Sequence, residues 1–127
     1  MGNRENIKVI EFIEKMDYAY SASDLIICRA GISSIMELSY LGVPSILIPY
    51  PLAAEDHQVK NARNLEKANA CIVIIQTEIE TKLYDTVINV ISDSKKLNIL
   101  KENIVKLSDD NAANKIANEV IKLKNGR

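Results

Sequence analysis

The residues able to do chemistry gather where an apolar run turns through a glycine into a helix, at Cys28-Arg29-Ala30-Gly31-Ile32-Ser33-Ser34. The first amides of a helix have no partner inside it, and its dipole favours negative charge there, so this turn suits an anion such as a phosphate. Gly31 lets the backbone approach closely, while the N–H groups near Ser33 and Ser34 supply donors. A second reading stays open: Ser34-Ile35-Met36-Glu37 fits a capping box, in which Ser34 and Glu37 only satisfy backbone donors. Glu37, one turn in, either accepts from the two hydroxyls of a ribose whose phosphates rest on the helix start or simply suits the dipole. Arg29 either pairs with a diphosphate or makes an ion pair with Glu37 or Asp56. His57 is the only histidine; it lies in Asp56-His57-Gln58 without a second His or Cys at ligand spacing, which argues against a metal and leaves it a hydrogen-bonding group. Glu78, Glu80 and Asp85 read as solvated helix-start charges.

The elements that must position these groups follow from the apolar pattern. Ile7 to Phe12, Leu25 to Cys28, Ser45 to Ile48 and Cys71 to Ile75 are short runs rich in β-branched residues. They are continuous rather than alternating, as strands buried on both faces of a parallel sheet should be. Segments of helical spacing separate them, which is the α/β signature. A short helix through Met16 and Tyr20 is expected to end near Ser23-Asp24. A second helix carries Ile35, Leu38 and Leu41 on one face and is capped by Gly42, with Pro44 beyond it. A third, Asp56 to Lys67, buries Val59, Ala62 and Leu65. Three more helices are expected at about Ile79 to Ile91, Lys95 to Leu107 and Asn111 to Lys124. In an open parallel sheet, ligands sit beyond the carboxyl ends of the strands. The loops after the first three runs, and above all Pro49 through Gln58, should therefore hold the site.

Composition narrows the classes. With 127 residues, 47% hydrophobic and 26% charged, the chain suits one domain with a true core rather than a disordered or disulfide-dense protein. Sixteen Lys+Arg against 17 Asp+Glu leave a net charge of −1, so no basic field exists to hold nucleic acid. Cys28 and Cys71 sit in apolar runs without a CxxC neighbour and read as small buried hydrophobes. No apolar stretch approaches the roughly 18 residues that span a bilayer. The expectation is a cytoplasmic chain without direct membrane insertion.

Asp24-Leu25-Ile26-Ile27-Cys28-Arg29-Ala30-Gly31, Glu37-Leu38, Gly42-Val43-Pro44, Ile48-Pro49, and Asp56-His57-Gln58 with Asn61-Ala62 together resemble the MurG-type glycosyltransferases of glycosyltransferase family 28. Those enzymes have the GT-B fold, two Rossmann-like halves facing a cleft. They move N-acetylglucosamine from UDP-N-acetylglucosamine to a lipid-linked muramyl-pentapeptide with inversion, at the cytoplasmic face of the membrane. The resemblance implies that residues 1–127 are a single partial donor-binding domain, a truncated Rossmann-like half of about four parallel strands with helices on both faces and a helical C-terminal region. It places Phe12 and Ile13 beside uracil, Gly31, Ile32, Ser33 and Ser34 on the diphosphate, Glu37 on the ribose, and His57 and Gln58 toward the sugar. It implies no cofactor and no metal. No GGTGGH-like or GGS-like loop occurs in the sequence, so the catalytic base and the acceptor are expected from an N-terminal acceptor half that this chain lacks, leaving it inactive alone.

The strand order of such a half is 3-2-1-4-5-6, and its first two strands are not found here. The run Ile7 to Phe12 is therefore expected to dock beside Leu25 to Cys28, or the exposed edge to pair with a second copy in a homodimer. Competing readings are a glycolipid synthase of the same superfamily, the donor-binding subunit of a two-chain N-acetylglucosaminyltransferase, and a fragment without function.

Overall fold

A computed structural model describes residues 6–51, 57–108 and 112–125. The chain order is α1 (Met16–Ser21), β1 (Ile26–Arg29), α2 (Ile32–Leu41), β2 (Ser45–Ile48), α3 (His57–Lys67), β3 (Ile72–Val73), a 3₁₀ turn (Gln76–Glu78), α4 (Ile79–Ile91), α5 (Ser94–Val105) and α6 (Ala112–Asn125). The three strands form one parallel sheet in the order β1-β2-β3. Arg29 stands opposite Ile48, and Leu47 opposite both Cys28 and Val73.

Burial explains why these segments became strands. Every residue of β2, the central strand, is buried, so its continuous apolar run satisfies both faces. Leu47 and Val73 join Ile35, Leu38, Val43, Ala62, Leu65 and Ile104 in one core cluster, against which Ile26 and Cys28 also pack. The edge strand β1 alternates half-buried Ile26 and Cys28 with exposed Ile27 and Arg29, so one of its faces is left to solvent. At the other edge the Val73 N–H donates to Glu66 Oε1 at 3.1 Å, and this side chain takes the place of a further strand.

Three of the four expected strands form. Residues 7–12 do not: they are irregular, and Val9 is 92% and Phe12 76% exposed. β-branched residues favour extended backbone, but a strand exists only where its amides meet a partner. In the strand order implied by the resemblance, two further strands separate this run from β1, so it does not dock beside β1 as expected. β1 is the sheet edge among the described residues.

The helices follow local signals. Asp93 caps α5 by accepting the Lys96 N–H at 3.0 Å, and α2 ends where Gly42 enters the left-handed region at φ 66°. Val43 N–H then returns to Leu38 O at 3.1 Å, which closes the helix as a glycine cap does.

Candidate functional site

Arg29 ends β1, and its side chain crosses the carboxyl end of the whole sheet. Its Nη1 donates to Gln76 Oε1, in the turn after β3, at 2.6 Å, and lies 3.5 Å from the Pro49 carbonyl that follows β2. The guanidinium also sits 5.5 Å from the centroid of the Tyr50 ring, a contact worth about 0.5–1 kcal/mol when exposed. Tyr50 is held in turn from α3: its N–H donates to Gln58 Oε1 at 2.9 Å. A glutamine amide keeps its NH₂ donors when its oxygen is used in this way. The crevice beyond the strand ends is thus walled by Arg29, Tyr50, Gln58 and Gln76. Among the described residues Arg29 forms no ion pair with Glu37; Asp56, the other expected partner, lies outside the described residues.

Two residues after Arg29, α2 begins. Gly31 is its N-cap, in extended conformation and without a side-chain cap, and Ile35 N–H reaches back to Gly31 O at 3.0 Å. Ser34 therefore lies inside the first turn and not at the cap, so Ser34 and Glu37 do not form the capping box. The amides of Ile32, Ser33 and Ser34 come too early in the helix to find a carbonyl within it. Among the described residues, a Cβ placed on Gly31 would meet nothing within 4 Å.

Glu37 is exposed on α2 and lines a groove of about 240 Å³ with Met16, Asp17, Tyr20, Tyr40 and Leu41, between α1 and α2. Burial, and after it hydrogen bonding to Glu37 and that residue's negative charge, push the Tyr20 phenol up to about 12. It therefore remains a neutral donor beside the carboxylate. Phe12 and Ile13 lie in the irregular stretch before α1, exposed; the hydrogen bonds among the described residues that gather the crevice do not reach them. His57 opens α3 on the surface, next to Gln58.

The remaining reactive groups are structural. Cys71 is buried, its thiol donates toward Ala62 O at 3.7 Å, and burial followed by the nearby Glu66 charge pushes it up to about 12. Burial raises Cys28 as well. Neither is a thiolate nucleophile at neutral pH, and the two are not bridged. Glu78 pairs with Lys82 along α4. Among the described residues no cluster of His, Cys, Asp and Glu could hold a metal ion, and no helix is long and apolar enough to cross a membrane.

Sequence reasoning found Arg29, the Gly31–Ser34 turn and Gln58, and the fold brings these to one end of the sheet. It passed over Gln76 and treated Tyr50 only as loop. The available signal was the position of both just past a strand's carboxyl end.

Comparison with known proteins bears on the family and the fold. The chain is 48% identical over 122 residues to the UDP-N-acetylglucosamine–N-acetylmuramyl-(pentapeptide) pyrophosphoryl-undecaprenol N-acetylglucosamine transferase of Bacteroides thetaiotaomicron, covering 96% of this chain and 33% of that protein. It is 37% identical over 122 residues to the enzyme of the same name from Flavobacterium psychrophilum, again covering 96% and 33%. The crystal structure of Acinetobacter baumannii MurG superposes with a TM-score of 0.84 at 30% identity, over 92% of this chain and 35% of that one. The chain spans about a third of the length of these relatives. The fold is thus the MurG-like, Rossmann-like α/β fold of GT-B enzymes, with a helical C-terminal region. Residues 1–120 match the model of the glycosyltransferase family 28 C-terminal domain, and the chain belongs to that family.

Proposed function

We propose that residues 1–127 are one donor-binding domain, which holds UDP-N-acetylglucosamine so that its sugar can be passed to a lipid-linked muramyl-pentapeptide. The observation that carries this reading is that the Arg29 guanidinium lies at the carboxyl end of a parallel sheet, the end from which β1 runs on into the uncapped start of α2. That is where a Rossmann-like half binds its nucleotide. Arg29 and the amides of Ile32, Ser33 and Ser34 take the diphosphate, with Gly31 leaving room for it. When the bond from the sugar to the diphosphate breaks, negative charge grows on the leaving phosphate, and donors already aimed there stabilise it. Glu37 accepts from the ribose hydroxyls, His57 and the free amide protons of Gln58 meet the sugar, and Phe12 and Ile13 border the uracil.

The attacking hydroxyl of the acceptor and the base that takes its proton belong to an N-terminal acceptor half, so the domain alone binds donor and does not transfer it. No metal or cofactor enters this scheme. The shared function of relatives 37–48% identical to this chain favours the muramyl-pentapeptide acceptor over a diacylglycerol. It also supports action at the cytoplasmic membrane face. The bare edge of β1, with Ile27 44% exposed, is where a second copy of the chain would pair if the domain forms a homodimer.

Calorimetric titration tests this. Saturable binding of UDP-N-acetylglucosamine, tighter than that of UDP-glucose and weakened about tenfold by Glu37→Ala, or about 1.4 kcal/mol, is expected. No binding at millimolar donor would overturn it.

A further inference from the structure

Gln76 belongs to none of the positions that motif or resemblance singled out, yet it accepts the shortest hydrogen bond of the crevice, 2.6 Å from Arg29 Nη1. The bond joins residues 47 apart in sequence and links the end of β1 to the turn after β3. Tyr50, from the loop after β2, flanks the same guanidinium with its ring. The chemical type of this acceptor matters. A carboxylate at this position would hold Arg29 at least as firmly, because charge-assisted pairs are the stronger ones, but it would cancel the positive charge. An amide oxygen orients the guanidinium and leaves the charge in place. The Pro49 carbonyl and the Tyr50 ring are neutral as well. Among the described residues, three neutral contacts therefore fix one cation at the carboxyl end of the sheet, an arrangement suited to receiving an anion.

We infer that Gln76 is a positioning residue, whose amide oxygen aims a still-charged Arg29 at the diphosphate of the bound nucleotide. This rests on the donor-site reading above, and the experiment keeps the two apart. Binding of UDP and of uridine is measured by calorimetry, with thermal unfolding alongside, for the wild-type chain, Gln76→Ala, Gln76→Glu, Arg29→Ala and the Arg29→Ala/Gln76→Ala pair. Gln76→Ala should weaken UDP binding ~3- to 10-fold, the scale of one hydrogen bond to a charged group, while uridine binding and the unfolding temperature stay unchanged. Gln76→Glu should weaken UDP further even though its ion pair with Arg29 keeps or raises the unfolding temperature. A merely structural Gln76 cannot produce that divergence. In the Arg29→Ala background, Gln76→Ala should add nothing. UDP binding equal to wild type in Gln76→Glu, or an undiminished Gln76→Ala effect without Arg29, would overturn this role while the donor site stands. Failure of the wild-type chain to bind UDP at all would overturn both.

Discussion

The two glycines that bracket α2 meet opposite surroundings. Gly42, after the helix, has φ +66°, and a Cβ there would lie 2.7 Å from Val105 Cγ2 on α5; a Cβ on Gly31, before the helix, would meet nothing within 4 Å. Gly42 is demanded by the fold itself, through a backbone conformation that side chains resist and through the close approach of α5. At Gly31 neither the extended backbone nor the packing of the described residues requires glycine, which fits the proposed diphosphate site. The contrast extends to the two ends of the sheet. At the amino end, buried Tyr20 and Val43 and the Ile26 N–H to Pro44 O bond of 3.0 Å hold the elements together beside a pocket of about 220 Å³ that Asp24, Gly42 and Lys101 also line. The carboxyl end is spanned by exposed polar side chains reaching between loops. One end is tied by backbone and buried side chains, the other by exposed polar side chains.

The largest effect should come from Gly42→Ala. Overpacking against Val105 together with a positive φ costs about 2–4 kcal/mol, measurable as a lower urea midpoint with an unchanged slope. A cost below ~0.5 kcal/mol, the range of a neutral surface change, would mean that α5 yields freely and that the fold does not demand glycine there. Gly31→Ala should do the reverse. Its stability should stay within about 0.5 kcal/mol of wild type, while UDP binding falls ~10-fold because the methyl occupies space the diphosphate uses. Unaltered binding would remove the functional side of the contrast.

A smaller effect should appear in alkali. Tyr20 and Cys71 are both raised to about 12 in the folded chain. Between pH 9 or 10, where the unfolded groups ionise, and about pH 12, the folded state holds protons that the unfolded state has released. Stability therefore falls as pH rises across that window, and is fully present below it. Both groups belong to the core cluster and neither to the crevice, so Cys71→Ala should flatten part of the decline without changing UDP affinity at neutral pH. A thermal midpoint constant from pH 9 to pH 12 would show that these groups are not held in the core.

What could be read in the sequence divides along the range of the interactions involved. Helix hydrogen bonds and caps are local, so apolar spacing placed α4 at the very span it occupies, and Gly42 marked the end of α2. The run that became β2 is continuously apolar because that strand is covered on both faces, while β1 was visible as an apolar run although one of its faces is open to solvent. The α/β class and the carboxyl-end location of the candidate site follow from that order alone.

The tertiary structure decided whatever needs a distant partner. Residues 7–12 carry strand-like composition, but extended backbone becomes a strand only beside another edge, and they do not pair with the free edge of β1. Ser34-x-x-Glu37 has the spacing of a cap, but α2 starts at Ile32; the register of a helix start depends on where the preceding strand releases the chain. Glu37 was an acidic candidate for Arg29 in the sequence, yet among the described residues its side-chain partner is Gln76, brought to it because β1 and β3 flank the same central strand. A side-chain contact across a sheet is set by strand order, and strand order is a property of the assembled core rather than of any window of residues.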